Sequence, residues 1–204
     1  MGELTFEVSR EKYETFEWDN NWIDHANDIN SNRILYIGDS ISYGTRTVAN
    51  ARKDKKVMFD GFATSRGLDN LFFKESVKLF AAQQPKRDAV IFNNGLHGWH
   101  LDDQTEYRLH YESMVKFLLD EFSGTPLFIV LTTLIKTEET RDRVPVRNKV
   151  AREIAEKYGL DIIDLYTVSA NASNLLKPDG VHFENAGYEL FTDEILKSIS
   201  KVID

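Results

Sequence analysis

The chain has 204 residues, 42% apolar and 28% charged, which fits one domain with a sizeable core and leaves no apolar run long enough for a membrane helix. Its formal net charge of -8 argues against a surface built to neutralise nucleic-acid phosphates or to dock on anionic lipid, and points to a small or neutral ligand. With no cysteine, disulfides, thiolate catalysis and cysteine-ligated zinc are all excluded. Residues 1–32 carry Phe6, Tyr13, Phe16, Trp18 and Trp22 among many acids and amides, without a sustained period. They read as an extension that packs its aromatic rings on a main domain of residues 33–204. The competing reading of Trp18 and Trp22 is the lining of a sugar-binding cleft. His25 reads as a surface or packing residue.

Arg33 to Ile37 predicts the first strand, followed by the Gly38-Asp39-Ser40 turn. Val57 to Phe59 predicts the second strand, and residues 62–67 a loop. Asp69 is placed to cap a helix with Leu71, Phe72, Ser76, Leu79 and Phe80 on its inner face. Asp88 to Phe92 is the third strand, and Asn93 to His100 a glycine-rich loop. Tyr107, Tyr111, Met114, Val115, Leu118 and Phe122 mark a helix that Gly124 and Pro126 end. Leu127 to Leu131 is a strand buried on both faces, and residues 132–143 form a polar loop. Val146, Val150, Ile154, Ala155 and Tyr158 mark another helix, stopped by Gly159. Residues 161–165 are the fifth strand, and a last helix from about Asn185 turns Leu190, Phe191, Ile195, Ile199 and Val202 inward. This alternation predicts an α/β fold: a three-layer α/β/α sandwich on a five-stranded parallel sheet, flavodoxin-like.

In a parallel sheet the loops after the strands gather at one edge, which brings Ser40, the Ser65-Arg66-Gly67 turn, residues 93–100 and residues 177–182 to a common rim. A serine hydroxyl becomes a useful nucleophile only beside a base that is itself oriented by an acceptor. Asp179 and His182, three residues apart on one turn, supply both roles for Ser40. Each piece also has a plain reading: Ser40 as a helix cap, and Asp179-x-x-His182 as a capping turn with an exposed imidazole. Asp39 braces its turn. His97, His100 and His110 fall in no recognised ligand pattern, so no metal or other cofactor is expected.

Gly38-Asp39-Ser40 and the run from Asp179 to Tyr188 resemble the first and last blocks of the SGNH hydrolase (GDSL esterase/lipase) superfamily, and the resemblance extends from about Arg33 to the C-terminus. It implies the SGNH hydrolase fold, with Ser40 as nucleophile, His182 as base and then acid, and Asp179 as its orienter. It also implies an oxyanion hole built from the N–H groups of Ser40 and Gly67. The family's third block usually reads Gly-x-Asn-Asp, whereas this chain reads Asn93-Asn94-Gly95-Leu96-His97-Gly98, which puts His97 where that donor belongs. Asn94 and His97 are therefore alternative third donors.

The expected function is a serine esterase acting on small acyl esters, acetyl first, of a carbohydrate or related alcohol. Trp99 and the loop at 132–143, with Lys136, Arg141 and Arg143, are candidate substrate walls. Two alternatives stand beside it: a lipase-like or thioesterase hydrolase for longer acyl chains, and a non-catalytic carbohydrate-binding protein on a decayed hydrolase fold. Expected partners are a small-molecule or carbohydrate ester, with no nucleic acid and no membrane insertion; oligomeric state stays open. Residues 1–10 show no secretory pattern, so the expected compartment is cytoplasmic, or secreted or periplasmic if a signal peptide has been removed.

Overall fold

The apolar run after Arg33 forms the central strand of the sheet in the computed structural model, which describes residues 13–14, 16–138 and 141–203. The elements in chain order are β1 (Asp19–Trp22), β2 (Asn32–Gly38), α1 (Ser40–Ala51), β3 (Val57–Thr64), α2 (Phe73–Ala81) and β4 (Ala89–Phe92). They continue with α3 (Gln104–Glu121), β5 (Leu127–Val130), α4 (Arg143–Tyr158), β6 (Asp161–Ile163), α5 (Leu165–Asn171) and α6 (Asn185–Ile203). Phe6 and the rest of residues 1–12 lie outside the described residues, as do residues 139–140 of the polar loop.

The sheet runs β1-β3-β2-β4-β5-β6, with β3 to β6 and β2 mutually parallel. Alternate side chains of β2 serve opposite cores, Leu35 and Ile37 facing α2, α3 and α4, and Ile34 and Tyr36 facing α1, α5 and α6. Burial on both faces is why this strand is apolar without alternation. Strand order reverses on the two sides of β2, so the crevice beyond its carboxyl end, between the loops after β2 and β4, is the topological switch point of the sheet.

The sheet has six strands where five were expected. The sixth, β1, comes from the N-terminal segment and pairs antiparallel with β3, Asp19 opposite Thr64 and Trp22 opposite Gly61. That partner carries β3 on to Thr64, so Phe62, Ala63 and Thr64 are strand rather than loop. α2 also differs from expectation: Asn70, not Asp69, holds the turn before it, and its buried face is Phe73, Val77, Phe80 and Ala81, with Leu71 and Leu79 exposed. Asp69 is drawn away to His100, whose Nε2 lies 2.6 Å from Oδ2. Val146 and Leu190 face solvent, and α5 follows β6 because Asp164 caps it, accepting the Thr167 N–H at 2.9 Å. Gly159 does end α4, in the left-handed conformation at φ 63°. Among the described residues, no helix is long and apolar enough to cross a membrane.

A buried ion pair fixes the approach to β1 and β2. Arg33 donates to Asp60 at 2.6 Å, both side chains being fully buried. The same guanidinium donates to the carbonyls of Asp24, His25 and Asp28, while Asp60 also accepts the Asp24 N–H and the Gln84 amide. Removing one partner strands the other in a dry site. Asp60→Ala should therefore lower unfolding free energy by about 3–5 kcal/mol in urea titration, and a loss under about 1 kcal/mol would show that Arg33 is satisfied by carbonyls alone.

Candidate active site

Ser40 opens α1, and the Asp39 side chain before it caps the helix. Asp39 Oδ1 accepts the Ile41 N–H at 2.9 Å, and its carbonyl accepts the Ser42 hydroxyl at 2.6 Å and the Tyr43 N–H at 3.1 Å. At the far end of the chain, residues 176–183 fold back as a narrow turn, the Lys177 N–H donating to the His182 carbonyl at 2.7 Å. The loop after β5 supports this turn from outside, the Lys136 N–H donating to the Gly180 carbonyl at 2.8 Å.

The two segments meet. Ser40 Oγ lies 2.8 Å from His182 Nε2, and His182 Nδ1 lies 2.9 Å from Asp179 Oδ2. In the tautomer that both contacts favour, Nδ1–H donates to the carboxylate and Nε2 accepts the serine proton. Asp179 Oδ1 accepts the N–H groups of Val181 and His182, each at 2.9 Å. Burial acts to raise the Asp179 pKa, but those N–H donors and the imidazole outweigh it and hold the carboxyl down at about 2. His182 thus faces a charged carboxylate at any pH near neutrality.

Gly67, Asn94 and His97 lie on the loops after β3 and β4. Among the described residues, no acceptor takes the N–H of Ser40 or of Gly67. Asn94 donates its amide to the Arg66 carbonyl at 3.2 Å, and its own carbonyl accepts the Tyr107 hydroxyl. Its Oδ1 is buried with no partner among the described residues. His97 Nδ1 lies 2.7 Å from Glu14 Oε2, and the other oxygen of Glu14 accepts the Gly98 N–H at 2.9 Å. Burial works against a charged His97, yet Glu14 and then Asp39 prevail and raise its pKa above the ordinary 6.5. With Nδ1 committed to Glu14, Nε2 is the ring atom left for a ligand.

Arg147 on α4 anchors this loop from beneath, donating to the carbonyls of Gly95, His97, Gly98 and Leu101 at 2.5 to 3.2 Å. Its guanidinium stacks 4.5 Å from the Tyr107 ring centroid. A cavity of about 540 Å³ opens at Ser40 and His182, walled also by Trp18, Tyr43, Lys177 and Tyr188. Trp99 stands apart from it, in a neighbouring depression with Glu14, Trp18 and His100, and Arg143 covers its ring at 5.1 Å. Among the described residues, no group of three or more His, Asp or Glu side chains could hold a metal ion.

Glu14, Tyr43, Lys177 and Arg147 were not singled out from sequence. Glu14 and Arg147 act across the fold, so no local spacing marks them; Tyr43 lies three residues beyond Ser40, one helical turn, which was a usable signal.

A serine, an imidazole and a carboxylate in line beyond a central parallel strand invite comparison with known folds. The chain superposes on a lipolytic G-D-S-L family protein from Veillonella parvula with a TM-score of 0.64 and 19% identity, covering 84% of this chain and all of that one. The chain has the SGNH hydrolase fold. Two further structures share it. An acetylxylan esterase from Geobacillus stearothermophilus matches at TM-score 0.61 and 18% identity, over 84% of this chain and 95% of that one. The C-terminal catalytic domain of Streptococcus pneumoniae peptidoglycan O-acetyltransferase A, solved with a methylsulfonyl adduct, matches at 0.62 and 20%, over 84% and 94%. In sequence, the chain is 28% identical over 174 residues to O-acetyltransferase OatA of Staphylococcus aureus, spanning 84% of this chain but only 26% of that protein. No protein-family model matches the sequence.

One feature of this SGNH site carries an energetic cost. Asp39 is 2% exposed and its Oδ2 has no partner among the described residues. Burial raises its pKa above the ordinary 3.8, against the pull of His97, the Ile41 and Ser42 N–H groups and His182. A carboxyl that holds its proton more tightly when folded loses stability as pH climbs through the window above its unfolded value. Asparagine keeps the Oδ1 acceptor and removes the charge. Asp39→Asn should therefore raise the thermal midpoint, by more at about pH 7 than at about pH 3.5; a midpoint difference that is flat or shrinks with pH would contradict this.

Proposed function

We propose that the protein is a serine esterase that removes acetyl, or another small acyl group, from a carbohydrate hydroxyl. The observation that carries this reading is the unbroken chain from Ser40 Oγ through both nitrogens of His182 to Asp179, at 2.8 and 2.9 Å. His182 takes the Ser40 proton as Oγ attacks the ester carbonyl, and returns it to the leaving sugar oxygen as the tetrahedral adduct collapses. Water, deprotonated by the same imidazole, then attacks the acyl-serine and releases the acid and free Ser40.

The developing oxyanion needs preorganised donors. The N–H groups of Ser40 and Gly67 provide two, and we assign the third to His97, whose ring is held on Glu14 through Nδ1 and donates from Nε2 when protonated. Asn94 instead serves as a strut between the loops, since its amide is tied to the Arg66 carbonyl. This choice makes the ring, rather than the amide, the donor that the third block supplies.

A second reading has its own support in the names of the relatives, O-acetyltransferases as well as an acetylxylan esterase. The acyl-serine would then pass its acetyl group to a sugar hydroxyl in place of water, through the same residues. Supplying an acceptor oligosaccharide with an activated acetyl donor separates the two: free acetate as the main product supports hydrolysis, acetylated oligosaccharide supports transfer.

Ser40→Ala should fold normally and lose about 10³-fold or more of its acetyl-ester turnover, and a sulfonyl fluoride should label Ser40 in the unaltered protein. Turnover within a few-fold of the original would remove Ser40 from the chemistry. His97→Ala should lower kcat by about 10²- to 10³-fold, the loss typical of one oxyanion donor, with Asn94→Ala affecting stability more than kcat. The reverse ranking would make Asn94 the donor.

A further inference from the structure

The Ser40 cavity continues past the acyl site. A second cavity, of about 340 Å³, adjoins it along α1 and the edge strand β1, and the two share Asn20, Tyr43 and Thr47 as walls. Beyond the shared residues the second cavity is closed by Trp22, Asp24, Arg46 and Asn50. Each cavity is in the size range of small-ligand sites. Together they form one groove that runs from the nucleophile to the N-terminal edge of the sheet.

The far end of this groove is a built surface. Asn20 and Trp22, two residues apart on β1, project to the same side of the strand. Trp22 remains 56% exposed and Tyr43 44% exposed, although both are large rings beside a cavity. The Trp22 Nε1 faces Asp24 Oδ1 at 3.5 Å, and Asp24 is anchored by Lys55 at 2.7 Å. The Asn20 amide is likewise oriented, because buried Arg46 donates to both its Oδ1 and its main-chain carbonyl. That leaves Asn20 Nδ2 directed away from the guanidinium, and no acceptor takes it, or the Tyr43 hydroxyl, among the described residues.

Aromatic rings, Tyr43 with Arg46 5.3 Å from its centroid and Trp22 exposed, alternating with an oriented amide and a hydroxyl are the chemistry that binds sugars. Ring faces cover the C–H face of a pyranose, and the polar groups take its hydroxyls. A long acyl chain would meet amide and hydroxyl groups along the shared wall.

We propose that this groove is an extended saccharide subsite: the sugar carrying the ester sits at Ser40, and the adjoining sugars of the same chain run over Tyr43 and stack on Trp22. The preferred substrate is then an acetylated oligosaccharide or polysaccharide rather than a free monosaccharide ester. This inference rests on Ser40 acting as an esterase nucleophile.

The test compares kcat/KM on p-nitrophenyl acetate with that on O-acetylated xylo- and chito-oligosaccharides, as mono-, di- and tetrasaccharides. The efficiency of the unaltered protein should rise with chain length. In Trp22→Ala the ratio of tetrasaccharide to p-nitrophenyl acetate efficiency should fall about tenfold or more, mainly through KM, and Trp22→Phe should restore part of it. Efficiency independent of chain length, or an unchanged ratio in Trp22→Ala, would overturn the subsite. If the unaltered protein cleaves none of these esters, the esterase reading fails separately. Tryptophan fluorescence titration with unacetylated tetrasaccharide then decides the groove, binding that Trp22→Ala abolishes supporting it and absence of binding overturning it.

Discussion

Ser40 and His182 stand 142 residues apart in sequence, and one helix contact brings them within hydrogen-bond distance. Each sits at the start of a helix, Ser40 on the first residue of α1 and His182 three residues before α6. The two helices lie side by side on one face of the sheet, and where they touch, the Tyr188 ring packs against α1 at Gly44. A β-carbon at Gly44 would fall 2.4 Å from the Tyr188 ring. The Tyr188 hydroxyl reaches back to the Phe183 N–H at 3.5 Å, so the same ring also abuts the turn that carries the imidazole. Glycine here is required by distance, not by an unusual dihedral. Any larger residue must displace the Tyr188 ring, which borders both α1 and the turn that carries His182.

The other half of the site is organised from the opposite layer. α4 sends Arg147 under the loop that follows β4, and the N-terminal segment lays Glu14 over it. His97 is thus gripped at its main chain from one side and at its ring from the other. The rim is thus assembled from both helical layers and an edge segment.

The readable parts of the fold were those whose cause is local. β2, β4 and β5 are apolar on both faces and so stand out as unbroken runs, and α3 keeps Tyr107, Tyr111, Met114, Val115 and Leu118 on one buried stripe. The turn with Asp179 and His182 was legible because three residues suffice to bring carboxylate and ring together. β1 was not: Asp19-Asn20-Asn21-Trp22 has no alternation and only Trp22 favours a strand, and it pairs because Arg33 and Arg46 anchor the chain around it. On α4 the inner position falls to Arg147 rather than Val146, since its carbonyl partners lie in a loop some 46 to 52 residues away in sequence. Leu71 lies in the turn before α2 and Leu79 on its outer face, because the turn at Asn70 starts the helix later than the simple pattern implies.

Arg147 makes its four bonds to main-chain oxygens of the loop and to none of its side chains. It works as an internal template, much as a structural cation gathers carbonyls around itself, so the shape of residues 95–101 is specified without reference to which side chains they bear. The His97 side chain is therefore no part of what Arg147 grips. A loop held by its backbone leaves its side chains free for other contacts, and the His97 ring, turned to Glu14, is one that uses this freedom.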